Sequence, residues 1–463
     1  MAKRKILHVI VWTLLLANEA VAQSSLFNDG DRVCFIGNSI TMNGRYHNYI
    51  QLYYVTRFPD RKIQFFNCGI SGDDSGGILE RMESDILIHK PTWTVLMVGM
   101  NDVRRSLYSK EREAEPGIKE KRQDALNIYF RNVDSIVSIL VNANCKVVLQ
   151  TPSIYDQTAV LKTPANVGVN DALGKCAAFI KETAKKYNLF VVDYWTRMNV
   201  INARVQQKDP GATIVGRDRV HPDVHGHFVM GNEFLKTQQA PAYVSVISID
   251  ARKRKIKMGE QCLLDDIKSS NEGISFTSLE ASLPYPLLAK DFDPDSLLAF
   301  TNSFNKEIVQ ISKLKKGNYL LKIDTAFIGN YSAKELKEGI NLAKITSTPQ
   351  YQHSEKILNI LYEYWGYVRK LRQIKYVEYQ LMDEQMREIP LTNENSRELI
   401  EKRMEKFKNQ EKAYVDFYQR NFNEYLVNKP MEKELLIKAE ETFSKVYEVN
   451  KPKKHDYQLA LIK

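Results

Sequence analysis

The chain has 463 residues, 43% of them hydrophobic and 26% charged, which is ordinary globular material with room for two or three domains. The formal net charge is +10, from 66 basic and 56 acidic residues. The excess is spread along the chain without a dense basic stripe, so it reads as a solvated surface and argues against a nucleic-acid partner.

The first residues read as a leader rather than as part of the fold. Lys3-Arg4-Lys5 is a positive n-region, Ile6 to Leu16 is an apolar run broken only by His8 and Thr13, and Ala20-Val21-Ala22 is a small-x-small cleavage site. The run is too short to span a bilayer comfortably, so a signal peptide cut after Ala22 is expected. No cysteine stands at the cut to carry a lipid, and no later segment is long and apolar enough to insert in a membrane. The expected location is periplasmic or extracellular. The cysteines Cys34, Cys68, Cys145, Cys176 and Cys262 show no CxxC spacing, and the first three lie in or beside apolar runs, which predicts mostly buried free thiols.

From Asp31 to about Lys236, short apolar runs alternate with amphipathic stretches. Strands are expected at Val33–Ile36, Ile63–Asn67, Thr94–Val98, Lys146–Gln150 and Phe190–Asp193. Helices are expected at Tyr46–Phe58, Gly77–His89, Lys121–Asn142 and Asn170–Tyr187. Such alternation predicts an α/β domain with a parallel sheet covered on both faces, here residues 23–240. The character changes near Gln238-Gln239-Ala240-Pro241. Alternating segments such as Val244–Ile249 and Tyr319–Ile323 then suggest a small β-rich region over 241–350. Ser332-Ala-Lys-Glu335 is a capping box that opens a helix toward Leu342. Residues 351–463 read as helical, with helices at Ser354–Glu388, Glu394–Tyr425 and Met431–Val446 divided by Pro390 and Pro430. The aromatic cluster Tyr362, Tyr364, Trp365 and Tyr367 reads as packing, and Lys451 to Lys463 as a loose tail.

Four short blocks carry chemistry. In the first, the buried-strand pattern Val33-Cys34-Phe35-Ile36 ends at Gly37, and Ser39 follows, where open α/β sheets place their ligands. In the second, Asn67-Cys68-Gly69-Ile70-Ser71-Gly72-Asp73 lets backbone approach a ligand closely and offers an N–H to an oxyanion. The third, Val98-Gly99-Met100-Asn101-Asp102, again follows an apolar strand, and Asn101 supplies a neutral amide donor. In the fourth, Asp218-Arg219-Val220-His221-Pro222, a carboxylate three residues before a histidine can hold the imidazole tautomer while its other nitrogen faces the serine. His221, His225 and His227 could be taken for a metal cluster, but no carboxylate-histidine pattern of a zinc site accompanies them.

These four blocks resemble the SGNH hydrolases of the GDSL esterase/lipase superfamily, over roughly Asp31 to Lys236. The resemblance implies a flavodoxin-like three-layer α/β/α domain, with the β-rich and helical regions outside the family core. It implies Ser39, Asp218 and His221 as catalytic residues, an oxyanion hole from the Ser39 and Gly72 backbones and the Asn101 amide, and no metal or organic cofactor. One departure is Asn38, where the family carries an Asp that helps shape the turn. Arg45, Asp73 and Arg104 are expected at the mouth as substrate contacts. Polar and basic loops suit a polar substrate with a small acyl group, so the expected activity is an O-acetylesterase on acetylated polysaccharide or oligosaccharide. The rivals are a lipolytic or lysophospholipase-type esterase and a glycan-binding protein with a decayed site.

Overall fold

The computed structural model describes residues 25–286, 293–382 and 393–463; the leader expected at residues 1–22 lies outside them. Strand β1 (Arg32–Gly37) shows why the sheet is covered twice. Val33 and Phe35 enter the apolar core on one face, Cys34 and Ile36 the core on the other, and all four are fully buried. β2 (Gln64–Gly69) and β3 (Trp93–Met97) pair with β1 in parallel on its two sides. β4 (Lys146–Gln150) and β5 (Phe190–Val192) continue the parallel sheet beyond β3. The order β2-β1-β3-β4-β5 is the flavodoxin order, and its switch point lies between β1 and β3.

Helices α1 (Ser39–Asn43), α2 (Arg45–Arg57), α3 (Ser75–Glu80), α4 (Ile118–Asn142), α5 (Val169–Tyr187), α6 (Tyr194–Gln206) and α7 (Val224–Thr237) surround the sheet. Tyr53, Ile201 and Phe234 of α2, α6 and α7 pack in the core with Phe35, while Tyr129 and Ile180 of α4 and α5 pack with Ile36. The helix expected over Gly77–His89 is broken: α3 stops at Glu80, and Met82–Ile86 forms a π-turn followed by a 3₁₀ turn at Leu87–His89. Arg81 and Asp85, within this broken stretch, are buried and bond each other.

Beyond Pro241 two sheets enclose one apolar core that includes Ile249, Phe276, Val309, Leu321 and Tyr457. β6 (Tyr243–Asp250) and β7 (Lys255–Glu260) lie in one sheet with β10 (Lys306–Ser312) and β13 (Ile340–Asn341), in the order β13-β10-β6-β7, and β8 (Cys262–Ser270) and β9 (Gly273–Glu280) lie in the other. After α8 (Phe300–Phe304) come β10 (Lys306–Ser312), β11 (Asn318–Ile323) and β12 (Ala326–Ser332). The capping box of Ser332 and Glu335 opens α9 (Ala333–Glu338), which ends at Gly339 rather than reaching Leu342; β13 (Ile340–Asn341) follows. The expected loose tail is instead strand β14 (Lys454–Leu461), which lies between β11 and β9. Its alternation of buried His455, Tyr457 and Leu459 with exposed neighbours is a strand pattern. The helical region is therefore an excursion from the β-rich region, and the chain returns to that region at its end.

Helix α10 (Pro349–Tyr376) lies against the edge strand β2. Tyr364 donates to the Phe65 carbonyl at 3.0 Å and stacks on Phe443, and Trp365 donates to Gln51 at 2.7 Å. The aromatic cluster thus joins the helical region to the α/β domain. A π-turn, Val377–Leu381, extends α10, and the helices Asn393–Glu405, Lys412–Asn428 and Glu432–Val449 follow it. Pro390 and the end of the helix expected over Ser354–Glu388 lie outside the described residues. The helix expected over Glu394–Tyr425 is two helices, Asn393–Glu405 and Lys412–Asn428. All five cysteines are unpaired, four of them buried. No described helix is long and apolar enough to cross a membrane.

Candidate active site

Ser39 is the first residue of α1, immediately past the end of β1, so its N–H has no acceptor within the helix. Asn38 is buried and its side-chain oxygen accepts the Ile40 N–H at 3.1 Å. An amide oxygen here makes the capping bond that a carboxylate could make, so the departure at Asn38 leaves the turn intact. Ser39 Oγ lies 2.8 Å from His221 Nε2, and His221 Nδ1 lies 2.6 Å from Asp218 Oδ2. Asp218 Oδ1 accepts the backbone N–H groups of Val220 and His221 at 3.0 and 3.1 Å. Burial raises the Asp218 pKa, but the bonds from the His221 ring and these N–H groups outweigh it and hold the carboxyl below its ordinary range. The arrangement lets an ionised carboxylate orient an imidazole whose other nitrogen faces a hydroxyl.

The loop that carries this pair is held by Arg219. Its backbone is left-handed at φ +68, and its buried guanidinium donates to the carbonyls of Asp156, Ala159 and Thr163. Nothing in the sequence pattern marked this residue, because its partners are backbone carbonyls some sixty positions upstream. The three imidazoles point to different partners: His221 faces Ser39, His225 is paired with Asp223, and His227 is buried with its ring parallel to Tyr46. Among the described residues no group of three or more His, Cys, Asp or Glu could hold a metal ion.

Gly72 sits at φ +87, a conformation that favours glycine. Asn101 follows β3 through Gly99, and its Nδ2 donates to the Asp73 carbonyl at 2.7 Å. Arg105 fixes the amide's orientation by donating to Asn101 Oδ1 at 2.9 Å and to the Met100 carbonyl at 2.8 Å. Asp102 is buried and accepts the Ser75 N–H at 2.8 Å, which ties the end of β3 to the start of α3. The loops after β2 and β3 therefore meet through Asn101 and Asp102.

Asp73, expected to contact substrate, does something else. It is buried, Oδ2 accepts from Arg81 at 2.7 Å, and Oδ1 accepts from Gln380 at 2.6 Å. Both oxygens are thus engaged within the protein. Arg81 also donates to Asp85 at 2.6 Å and to the Gly37 carbonyl at 3.3 Å. Arg372 of α10 grips Asp85 with two bonds of 2.7 and 2.8 Å and reaches the Gly69 carbonyl at 3.2 Å. The two arginines thereby hold the carbonyls at the ends of β1 and β2. Ile70 of the loop after β2 is fully buried in a cluster with Ile374, Val377, Leu381 and Phe422 from the helical region. That region is the outer wall of the loop bearing Gly72. Arg45 and Arg104 are both exposed, and neither side chain has a hydrogen bond or ion pair with another described residue.

A solved structure of a gut microbial diltiazem-metabolizing enzyme is 31% identical, with a TM-score of 0.84, and the match covers 95% of this chain and 100% of that one. The model of the GDSL-like lipase/acylhydrolase family matches residues 35–228. The chain belongs to the GDSL-like lipase/acylhydrolase family. Its members of SGNH type are carboxylic ester hydrolases, and this chain is one. An acetylxylan esterase from Geobacillus stearothermophilus is 27% identical over 228 residues, 45% of this chain and 93% of that protein. The family match covers the α/β domain, whereas the likeness to the diltiazem-metabolizing enzyme also takes in the β-rich and helical regions.

Proposed function

We propose that the protein is an exported O-acetylesterase that removes acetyl groups from acetylated carbohydrate, with Ser39 as nucleophile. The observation that carries the chemistry is the 2.8 Å approach of Ser39 Oγ to His221 Nε2, with Asp218 at 2.6 Å on the far side of the ring. His221 takes the Ser39 proton as Oγ bonds to the acetyl carbonyl carbon. The carbonyl oxygen becomes an oxyanion held by the Ser39 and Gly72 N–H groups and the Asn101 amide. The intermediate collapses, the sugar hydroxyl leaves with the proton from His221, and an acetyl-serine remains. A water activated by His221 then attacks that ester, and acetate departs as Oγ regains its proton. Asp218, held ionised by its bonds, stabilises the imidazolium in both halves.

The acetyl preference is supported by the relative named as an acetylxylan esterase, and the exposed Arg45 and Arg104, whose side chains bond no other described residue, suit a polar alcohol. The likeness to a diltiazem-metabolizing enzyme is compatible with it, since diltiazem carries an acetate ester. Export rests on the leader pattern at residues 1–22 and predicts a mature chain that begins at Gln23. The test is acetate release from acetylated xylan beside a series of para-nitrophenyl esters. Release of acetate with a preference for acetyl over longer acyl groups is expected. A preference for long-chain esters would overturn the reading in favour of a lipolytic enzyme.

A further inference from the structure

Asn101 forms part of the wall of an open hollow of about 650 Å³, whose lining includes Arg104, Arg105, Arg112, Lys121 and one acid, Asp124. Three of the cations are engaged. Arg105 donates to the Met100 carbonyl and to Asn101, while Arg112 and Lys121 both bind Glu115. Arg104 differs: it is exposed and its side chain has no hydrogen bond or ion pair with any described residue. Its backbone lies at φ +50 and ψ 67, the left-handed region that non-glycine residues seldom occupy. Bonds from Arg104 N to the Asn101 carbonyl at 3.0 Å and from Leu107 N to the Arg104 carbonyl at 2.8 Å hold it there. The turn that carries the oxyanion amide therefore also presents a free guanidinium to the adjoining hollow. Strained backbone of this kind concentrates at ligand sites.

We propose that this hollow is a subsite for a carboxylate-bearing sugar, a uronic acid within the glycan, with Arg104 as the residue that binds it. A planar guanidinium matches a carboxylate with two parallel N–H bonds, and the cationic excess of the lining favours an anion over a neutral sugar. A neutral sugar would leave the fork of Arg104 to water. The identification of the ligand as part of a glycan rests on the acetylesterase reading; the anion site itself does not.

The full-length protein tests this with para-nitrophenyl acetate as reporter, which reads the esterase without any glycan. The inhibitors are acetyl-free xylooligosaccharides with and without a glucuronic acid branch. The acidic oligosaccharide should inhibit about tenfold more tightly than the neutral one, the effect of one charge-assisted bond, and the gap should narrow as salt is raised. Arg104→Ala should close the gap, Arg104→Glu should reverse it, and Arg104→Lys should keep part of it. Equal inhibition by the two oligosaccharides in the native protein would overturn the proposal, as would a gap that survives Arg104→Glu. Acetate release from a neutral acetylated xylooligosaccharide is measured alongside. Its absence would refute the acetylesterase reading, while the inhibition ratio still decides the subsite.

Discussion

Replacing Arg372 by Met probes how the helical region bears on the active site. Arg372 is buried, makes two bonds to the buried Asp85 and reaches the Gly69 carbonyl. Removing one member of a buried ion pair costs about 3–5 kcal/mol, because the remaining charge is left without its partner. Asp85 keeps its 2.6 Å bond to Arg81, which places the expected loss at the lower end, about 3 kcal/mol. Burial raises the Asp85 pKa, but Arg372 and then Arg81 outweigh it and hold it below the ordinary value. Loss of Arg372 should therefore also raise that pKa. Urea unfolding of the native protein and Arg372→Met reads the stability term. Turnover of para-nitrophenyl acetate by the fraction still folded reads the displacement of the loop that follows Gly69. Adding Asp85→Asn to Arg372→Met should recover part of the stability, since it removes the buried charge that has lost one of its two arginine partners. A single variant within about 0.5 kcal/mol of the native protein, the range of ordinary surface changes, would refute the view that these arginines fix the strand ends. So would strict additivity of the two substitutions.

Asn101→Ala should lower kcat about 10²–10³-fold with little change in KM, as loss of one oxyanion donor does; an equal rise in KM with kcat retained would instead mark a ground-state contact. Gly69→Ala should fail to fold or melt well below the native protein in a thermal scan, because the new Cβ would overlap backbone atoms, Met42 N among them, and lie 2.6 Å from the Thr41 carbonyl carbon. A native melting temperature would contradict that. Glu307 is buried with neither carboxylate oxygen hydrogen-bonded, and burial, with Glu280 adding to it, pushes its pKa from 4.5 to about 8 against the pull of Arg57. The folded state thus keeps a proton that the unfolded chain has released, so stability is lost as pH rises from 4.5 to about 8. Glu307→Gln should be near neutral at pH 4 and increasingly stabilising up to pH 8, by up to about 5 kcal/mol. A gain that does not vary with pH in urea unfolding would refute the cause assigned.

The parts of the site that lie next to their own strands were legible. Ser39, Gly72 and Asn101 each follow a run whose apolar residues fill a sheet core, so their place at one rim follows from the parallel order. The spacing of Asp218 and His221 needed only a tight turn. What holds these groups was hidden, for two physical reasons. Arg219 acts on backbone carbonyls, which leave no mark in a side-chain pattern. Arg372 and Gln380 act across some three hundred positions, where helical periodicity carries no information about partners. Arg81 and Asp85 sit four apart, as exposed helix pairs do; only the π-turn at Met82–Ile86 and the covering helix α10 make them interior. Asp73 is expected at the site mouth from its block alone, and its partners Arg81 and Gln380, one inside a broken helix and one about three hundred positions away, are not visible in that block. The strand at Lys454–Leu461 was readable as period two, but its partners are β9 and β11, far upstream.

Labelling with a fluorophosphonate probe, read by mass spectrometry of the peptides, tests the central claim most directly. Phosphonylation should fall on Ser39 alone in the native protein and slow by about 10³-fold or more in His221→Ala, since the hydroxyl is weakly nucleophilic without its base. An unmodified Ser39, or labelling of Ser39 at the same rate without His221, would contradict the account.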